Sequence, residues 1–393
     1  MTSTRREHVD MMYISIETAI ALASVVGNVL VVLAVCVNRA LRNTTFCFIV
    51  SLAVADIAVG VLVIPLAIII SLEFNTQFYT CLFLSCLLLI ITQSSILSLL
   101  AIAIDRYLRV KIPTRYNTIV TQRRAYVAVF LCWILSFLTG LVPMTGWNNR
   151  NAQGNLSSSS DIVCEFTTVM RMDYMVYFNF FGWVVVPLSV MIALYGEIFR
   201  VIRRQLNRRA EATCDGDRYY RKELKLAKSL ALVVFLFAVC WLPIHIMNCI
   251  SFFCPKCSIP KFAMYVGIFM SHVNSALNPM VYAYRINGFR VTLIQITRRC
   301  MLCKPTEPTA YGAPMALIEL HVCDIWNINR LTNTKAKHFI GSWDKFIFDP
   351  FIFIWHLDFK ENQPAINRTI IYFHQHAFFC FQLMLHKLIH IEL

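Results

Sequence analysis

Long apolar runs restrict the fold of this chain more than any other feature of its sequence. A helix needs about 20 apolar residues to cross the roughly 30 Å hydrocarbon core of a membrane, where only helices and closed β-barrels satisfy their backbone. Runs of this length recur along the chain and predict an all-α membrane bundle of seven helices. The predicted spans, numbered one to seven, are Tyr13–Val37, Thr44–Leu72, Phe78–Leu108, Arg123–Gly146, Met172–Arg200, Arg221–Phe252 and Lys261–Tyr284.

Composition and charge agree with a multi-pass membrane protein. Of the 393 residues, 58% are hydrophobic and only 15% are charged, which is too apolar for an ordinary globular chain in water. The net charge of +14 comes from basic residues in short stretches between the apolar runs, so no nucleic-acid partner is expected. Most of them follow spans one, three and five, and the positive-inside rule therefore places residues 1–12 outside the cell. On this topology the glycosylation sequence at Asn155 also faces outward.

Two regions follow span seven. Gly288–Cys300 alternates apolar and basic residues at helical spacing, which predicts a short amphipathic helix on the inner membrane surface, with Cys300 and Cys303 as palmitoylation sites. We therefore group residues 13–303 as one membrane domain. Residues 304–393 are rich in aromatic side chains without a steady period, and they fit no domain. We interpret them as an atypical cytoplasmic tail that is disordered or arises from an alternative terminus.

Asp56 is an acidic residue inside span two. Placing a charge at this depth costs about 2.5–3.5 kcal/mol on insertion scales, so a functional role is expected. One interpretation is a structural carboxylate bonded to Asn28 and Asn278. The other is a sodium site, because oxygen ligands suit a hard cation. The candidate ligands of that ion are Asp56, Ser95, Asn274 and Asn278.

Charged residues also meet where spans three and six are predicted to reach the cytoplasm. Asp105-Arg106-Tyr107 ends span three, and Glu223 begins span six. Alone, Arg106 would be a basic anchor whose charge reaches the membrane surface. Held between two carboxylates, it forms an ion pair that outward movement of span six can break. Proline bends helices because it removes an internal hydrogen bond, and the candidates are Pro187, Pro243 and Pro279.

These motifs occur one per span and in order, and the chain resembles the rhodopsin-like G-protein-coupled receptor family over about Tyr13–Cys303. The segments that carry the resemblance are Gly27-Asn28, the Asp56 segment, Cys81, Asp105-Arg106-Tyr107, Trp133, Pro187, Cys240–Pro243 and Asn278–Tyr282. The resemblance implies a plasma-membrane receptor, not an enzyme, with a pocket open to the outside and an inner surface that activates a heterotrimeric G protein. The switch residues it implies are Asp105, Arg106, Tyr107, Glu223, Pro279 and Tyr282.

Two pairs of cysteines are candidates for disulfides. The resemblance implies a bond between Cys81 and Cys164 that ties the loop after span four to span three. Cys254 and Cys257 form a separate CxxC segment before span seven. A zinc site would need a second pair of ligands nearby, so a local disulfide is the favoured interpretation.

Residues in the outer halves of the spans indicate the class of ligand. Amine receptors place an aspartate where this chain has Leu88, and the outer halves carry no cluster of Lys and Arg that would bind phosphate. A neutral ligand is therefore expected. On span six, Trp241, His245 and Asn248 share one face, and the Asn248 amide can both donate to and accept from an adenine edge.

The sequence is similar to the adenosine receptors in the segments Thr45–Asp56 and Met172–Phe180. This resemblance implies that Phe166 stacks on a flat ring, that ribose hydroxyls bind deeper in the pocket, and that Asn179 flanks it. Two alternatives stay open: Phe166 serves only loop packing, and His272 pairs with Glu17. The implied pocket is Phe166, Asn248, Trp241, Leu242, His245, Ile268, Thr92, Ser271, His272, Leu88, Met175 and Tyr265.

The expected function is that of a receptor for extracellular adenosine that couples to inhibitory G proteins and lowers adenylyl cyclase activity, with sodium as an allosteric modulator and no other cofactor. The two subtypes with this coupling share features with the chain, subtype three more than subtype one. Thr167 departs from the family, which mostly has a glutamate there. The alternatives are a receptor for another neutral small ligand, or a non-signalling isoform because of the unusual tail.

Overall fold

The computed structural model describes residues 3–71, 75–150, 162–209, 214–254, 256–257 and 259–302. The bundle lies in a compact unit that extends to Leu293, and a second unit begins at Ile294. Seven helical spans follow one another as the sequence predicts. Spans one, three, four, six and seven are Ser3–Val37, Phe78–Lys111, Gln122–Gly140, Cys214–Phe253 and Lys261–Arg285, and the helix after span seven is Asn287–Leu302.

The segment of span one that is apolar enough to cross a membrane begins at Met11, close to the predicted Tyr13, but its helix begins eight residues earlier, at Ser3. The apolar run begins at Tyr13, but no glycine or proline lies between Ser3 and Asp10, so nothing in the local sequence ends the helix there. Span six likewise begins at Cys214, before Arg221. Apolar content therefore marks the segment suited to lipid, while the helix continues beyond it.

Spans two and five each contain π-helical turns. Span two consists of Thr44–Ala58, the π-helical segment Val59–Val63 and Ile64–Ser71, and span five joins the π-helical segment Tyr174–Val185 to the helix Val186–Arg209. Each π segment ends two residues before a proline, Pro65 or Pro187. Proline cannot donate to the carbonyl four residues earlier, so the regular pattern of bonds is interrupted at these points.

Span seven is the most polar of the seven. Six of the described helices are long and apolar enough to cross a membrane, and Lys261–Arg285, with 25 residues, is not among them. Its polar residues are buried inside the bundle, mainly against spans one and six. The residues responsible are Ser271, His272, Asn274, Ser275 and Asn278.

Short elements close the two ends of the bundle. Asn75–Thr76 and Ile162–Val163 pair as antiparallel strands. We call the end that carries this strand pair the outer end, following the predicted topology, and the opposite end the inner end. The remaining short elements are the 3₁₀ turns Arg39–Leu41 and Val142–Thr145 and the helices Pro113–Ile119 and Phe166–Val169.

Span three lies at the centre of the bundle, against spans two, four and five, while span seven packs on spans one and six. Span four is at the periphery, and its apolar side chains Phe130, Leu131 and Leu138 are 58–64% exposed. Exposed apolar groups in such number suit contact with lipid rather than with water. Side chains that pack against span three are therefore shielded from both lipid and water.

Candidate functional site

Arg106 is held at the inner end between the two carboxylates that the sequence indicates. Its Nη2 lies 3.0 Å from Asp105 Oδ2, and its Nη1 lies 3.2 Å from Glu223 Oε2 on span six. The arginine is only 1% exposed. Removing either carboxylate would leave the buried charge of Arg106 under-compensated. The contact between Arg106 and Glu223 keeps the inner ends of spans three and six together.

Asp105 has further partners that sequence reasoning missed. Its Oδ1 accepts from Tyr116 Oη at 2.6 Å and from Thr44 Oγ1 at 3.2 Å, and its Oδ2 accepts from Thr45 Oγ1 at 2.5 Å. Burial raises the pKa of the Tyr116 phenol, and its bond to Asp105 raises that pKa further, so Tyr116 stays a neutral donor. Tyr107, the third residue of the motif, is half-buried.

A second polar cluster surrounds Asp56 in the middle of the bundle. The Asp56 Oδ2 accepts from Asn278 Nδ2 at 2.7 Å, whereas Oδ1 has no donor within the described residues. The amide oxygens of Asn28, Asn274 and Asn278 also lack donors there. Ser95 is buried, and its hydroxyl donates to Ile91 O at 3.2 Å. Buried oxygens without donors are the chemistry that a sodium ion would satisfy, so the predicted ligands fit that ion.

Both interpretations of Asp56 find support in this geometry. Asn278 bonds to the carboxylate directly, but the Asn28 amide donates to Ser24 O and Ser275 O, each at 2.9 Å. Asn28 therefore braces the backbone of span seven and is not bonded to Asp56. Nearby, the Tyr282 hydroxyl is buried without a partner among the described residues.

On span six, polar atoms face the interior of the outer half. Trp241, His245 and Asn248 lie on one side of the helix, and Asn248 is 8% exposed. The His245 ring stacks on Phe180 with centroids 4.8 Å apart, and neither of its nitrogens has a partner in the described part of the chain. The Trp241 indole nitrogen is also without one. Span six thus presents several buried, unused hydrogen-bonding groups.

The predicted ribose-binding groups are engaged within the protein. His272 Nδ1 lies 2.8 Å from Glu17 Oε2, which is the pairing that the sequence leaves open as an alternative. The Ser271 hydroxyl donates to Ile268 O at 2.7 Å, and the Thr92 hydroxyl donates to Leu88 O at 2.9 Å. Each hydroxyl keeps its acceptor capacity, so a ligand can still donate to it.

Four of the remaining predicted pocket residues lie in two different apolar clusters. Leu88 and Tyr265 pack on residues of spans one and two, and the Tyr265 ring lies 5.1 Å from that of Tyr13. Met175 and Phe166 instead belong with the residues around the Cys81–Cys164 disulfide. Leu242 and Ile268 are half-buried.

Asn179, which is predicted to flank the pocket, is buried and hydrogen-bonded within the bundle. Its Oδ1 accepts from Gln93 Nε2 at 3.3 Å, and the Gln93 carbonyl accepts from the Thr139 hydroxyl. This buried polar chain joins spans five, three and four. The pairing depends on helices that are distant in sequence, and no local signal points to it.

Both predicted disulfides are present. Cys81 and Cys164 join the outer end of span three to the strand Ile162–Val163, and Cys254 and Cys257 close a short loop before span seven. Thr167, the departure from the family, is exposed, and its hydroxyl lies 3.5 Å from Glu165 Oε2. The predicted modification sites Asn155 and Cys303 lie outside the described residues, as does the tail 304–393, and Cys300 falls within the helix Asn287–Leu302.

Comparison with known proteins identifies the family. The model of the 7 transmembrane receptor (rhodopsin family) matches residues 27–282. The chain is 52% identical to Adenosine receptor A3 of Ovis aries over 309 residues, which is 78% of this chain and 96% of the relative. It is 52% identical to that of Canis lupus familiaris over 295 residues (75% and 93%) and 51% identical to that of Bos taurus over 309 residues (78% and 96%).

These matches confirm the resemblance that the motifs indicate, including the preference for subtype three over subtype one. Proteins of this family are receptors rather than enzymes, and the seven helices agree with a multi-pass membrane protein. The chain therefore belongs to the rhodopsin family of seven-transmembrane receptors and, within it, to the adenosine receptors.

Proposed function

We propose that this receptor binds extracellular adenosine at its outer end and activates an inhibitory G protein at its inner end, which lowers adenylyl cyclase activity. The relatives that share about half of its residues are adenosine receptors by name. The observation that carries the ligand proposal is the buried face of span six. There the His245 nitrogens and the Trp241 indole nitrogen lack partners among the described residues, and the buried Asn248 amide lies one turn beyond His245. Inhibitory coupling rests on the resemblance to subtype three.

Adenine would bind through the Asn248 side chain. A carboxamide offers one donor and one acceptor in a plane, and the adenine edge offers the complementary pair in its exocyclic amine and ring nitrogen. The Asn248 side chain is buried on the face of span six that also carries His245, so it is placed to make this pairing. Phe166, held by the Cys81–Cys164 disulfide, would stack on the ring.

Ribose would bind near span seven. Ser271 and His272 are both buried on that helix, and His272 is already fixed by Glu17 of span one. Ribose hydroxyls that bond to this pair would draw span seven toward Trp241 on span six. That shift would move span six outward and break the contact between Arg106 and Glu223.

Sodium would oppose this change. The ion would be held by oxygens of Asp56, Ser95, Asn274 and Asn278, and it would neutralise the buried carboxylate. Because these residues belong to spans two, three and seven, their common ion would stabilise the arrangement in which Arg106 is paired. A ligand that moves span seven would then compete with sodium through the protein.

A different neutral ligand is the second candidate. The observation that favours it is Thr167, which lacks the carboxylate that most of the family places at this loop position. Without it, the loop contributes less to recognition of the exocyclic amine. A nucleoside with a substituted amine is the ligand class that such a loop would tolerate.

The pocket assignment is tested by binding of a radiolabelled adenosine antagonist to Asn248→Ala. We expect a loss of affinity of about 5- to 150-fold, because a bidentate contact of an amide with a base contributes about 1–3 kcal/mol. Ile246→Ala is the matched control, since Ile246 lies on the same helix but is 51% exposed. An Asn248→Ala receptor that binds the antagonist as tightly as the wild type would refute the assignment.

A further inference from the structure

We propose that Arg109 is a positioning residue of the inner switch, which bridges Glu223 of span six and Tyr116 of the loop after span three. Arg109 lies one turn beyond Arg106 on span three, and no motif singles it out in the sequence. The inference adds to the switch at Arg106, and only its consequence for signalling rests on the proposed function.

The two carboxylate oxygens of Glu223 are divided between two arginines. Glu223 Oε2 lies 3.2 Å from Arg106 Nη1, and Glu223 Oε1 lies 4.0 Å from Arg109 Nη1. The Arg109 side chain is 23% exposed, so water screens this second pair only in part. Loss of the Arg106 contact alone would therefore leave span six attached to span three through Arg109.

The same guanidinium contacts Tyr116. Arg109 Nη2 donates to Tyr116 Oη at 3.4 Å, and the guanidinium carbon lies 4.6 Å from the centroid of the Tyr116 ring. A planar cation over an aromatic face is favourable, and arginine suits it better than lysine. Tyr116 is in the short helix Pro113–Ile119 and also donates to Asp105.

Arg109 thus joins the loop helix to span six without forming part of the Arg106 pair. When Glu223 moves outward, Arg109 loses its carboxylate but keeps Tyr116, so the loop helix stays on span three while span six departs. When Arg109 is absent, the hydrogen bonds of Tyr116 that remain among the described residues are those to Asp105 and Thr44. One side chain therefore supports both the closed position of span six and the position of the loop helix.

The test is hydrogen exchange, measured by mass spectrometry on the purified full-length receptor without ligand or G protein. In Arg109→Gln we expect exchange to rise about threefold in peptides covering residues 113–119 and 219–225, a size typical of one partly exposed ion pair. Arg109→Lys should keep the protection of 219–225 and lose that of 113–119, because lysine supplies the charge but not the planar face. Arg115→Gln, an exposed arginine of the same loop helix, is the control and should leave both peptides unchanged.

A double substitution separates positioning from general stability. In a Glu223→Gln background, adding Arg109→Gln should change exchange of 219–225 no further, because the partner of Arg109 on span six is already gone. Further acceleration there would overturn the proposal, as would unchanged exchange in both peptides of Arg109→Gln. Neither readout uses adenosine or a G protein, so failure of the proposed function would show separately, as absence of adenosine binding in the wild type.

Discussion

At the scale of single residues, buried polar atoms without hydrogen-bond partners indicate where this protein binds other groups. Asp56 Oδ1 and three neighbouring amide oxygens have no donor among the described residues, and each such atom costs about 1–3 kcal/mol when it is left unsatisfied. The sodium ion proposed for this site would supply the missing partner.

Sodium dependence tests this cluster at the level of one residue. Replacing sodium chloride by N-methylglucamine chloride should raise agonist affinity of the wild type about fivefold, and Asp56→Asn should abolish the effect, because a neutral amide no longer attracts the cation. Competition binding on membranes measures both. Ser98→Ala is the control, since this buried serine bonds to Ser51 instead. Wild-type binding that is indifferent to sodium would rule out the ion site.

At the scale of the helices, spans three and four pack closely because Gly140 has no side chain. A Cβ added at Gly140 of span four would lie 3.0 Å from the backbone nitrogen of Ile90 on span three and would also collide with the Ile90 side chain. Gly196 of span five is different, because a Cβ there meets nothing within 4 Å. The two glycines look alike in the sequence, since each lies within an apolar helix.

Gly140→Ala should therefore destabilise the receptor by about 1–3 kcal/mol, the usual cost of overpacking. Gly196→Ala should be neutral or slightly stabilising, because alanine favours a helix more than glycine does. Thermal unfolding of the purified receptor in detergent measures the difference. Equal melting temperatures for the two variants would contradict the predicted contact of spans three and four.

On the scale of the whole molecule, the two ends of the bundle are joined through its core. Outer polar groups at Asn248 and His245 lie on the same helix as Glu223, and the Asp56 cluster links spans two and seven between them. A change in the position of span six therefore moves both the outer polar groups and Glu223 at the inner end. The tail from residue 304 lies outside the described residues.

Signalling by the full chain tests the coupling and the tail together. Adenosine should lower cyclic AMP in cells that express the receptor, and pertussis toxin, which inactivates inhibitory G proteins, should abolish the response. A variant that stops after Cys303 keeps every described residue that contacts Arg106, so its response should equal that of the full chain if the tail is inert. A response only in the shortened variant would support a non-signalling full-length isoform, and a toxin-insensitive response would exclude inhibitory coupling.

Much of this organisation is readable from local sequence. The apolar runs place six spans clearly, and Asp105-Arg106-Tyr107 with Glu223 indicates the ion pair at the inner end, because short-range patterns encode helix position and side-chain charge. The apolar pattern does not mark the ends of the helices themselves: the span at Met11–Val37 agrees with the predicted start, but its helix begins at Ser3 because helix propensity continues past the apolar run. Span seven is recognisable by its Asn278–Tyr282 motif rather than by its mean hydropathy.

Only the tertiary structure decided which polar groups share a neighbour. Asn179 bonds to Gln93, His272 pairs with Glu17, which is 255 positions away in the sequence, and Arg109 contacts both Tyr116 and Glu223. Such partners depend on the rotation and spacing of packed helices, which result from the sum of many weak contacts. The residue types and the spans are thus properties of the sequence, whereas the partners of each buried polar atom are properties of the packed bundle.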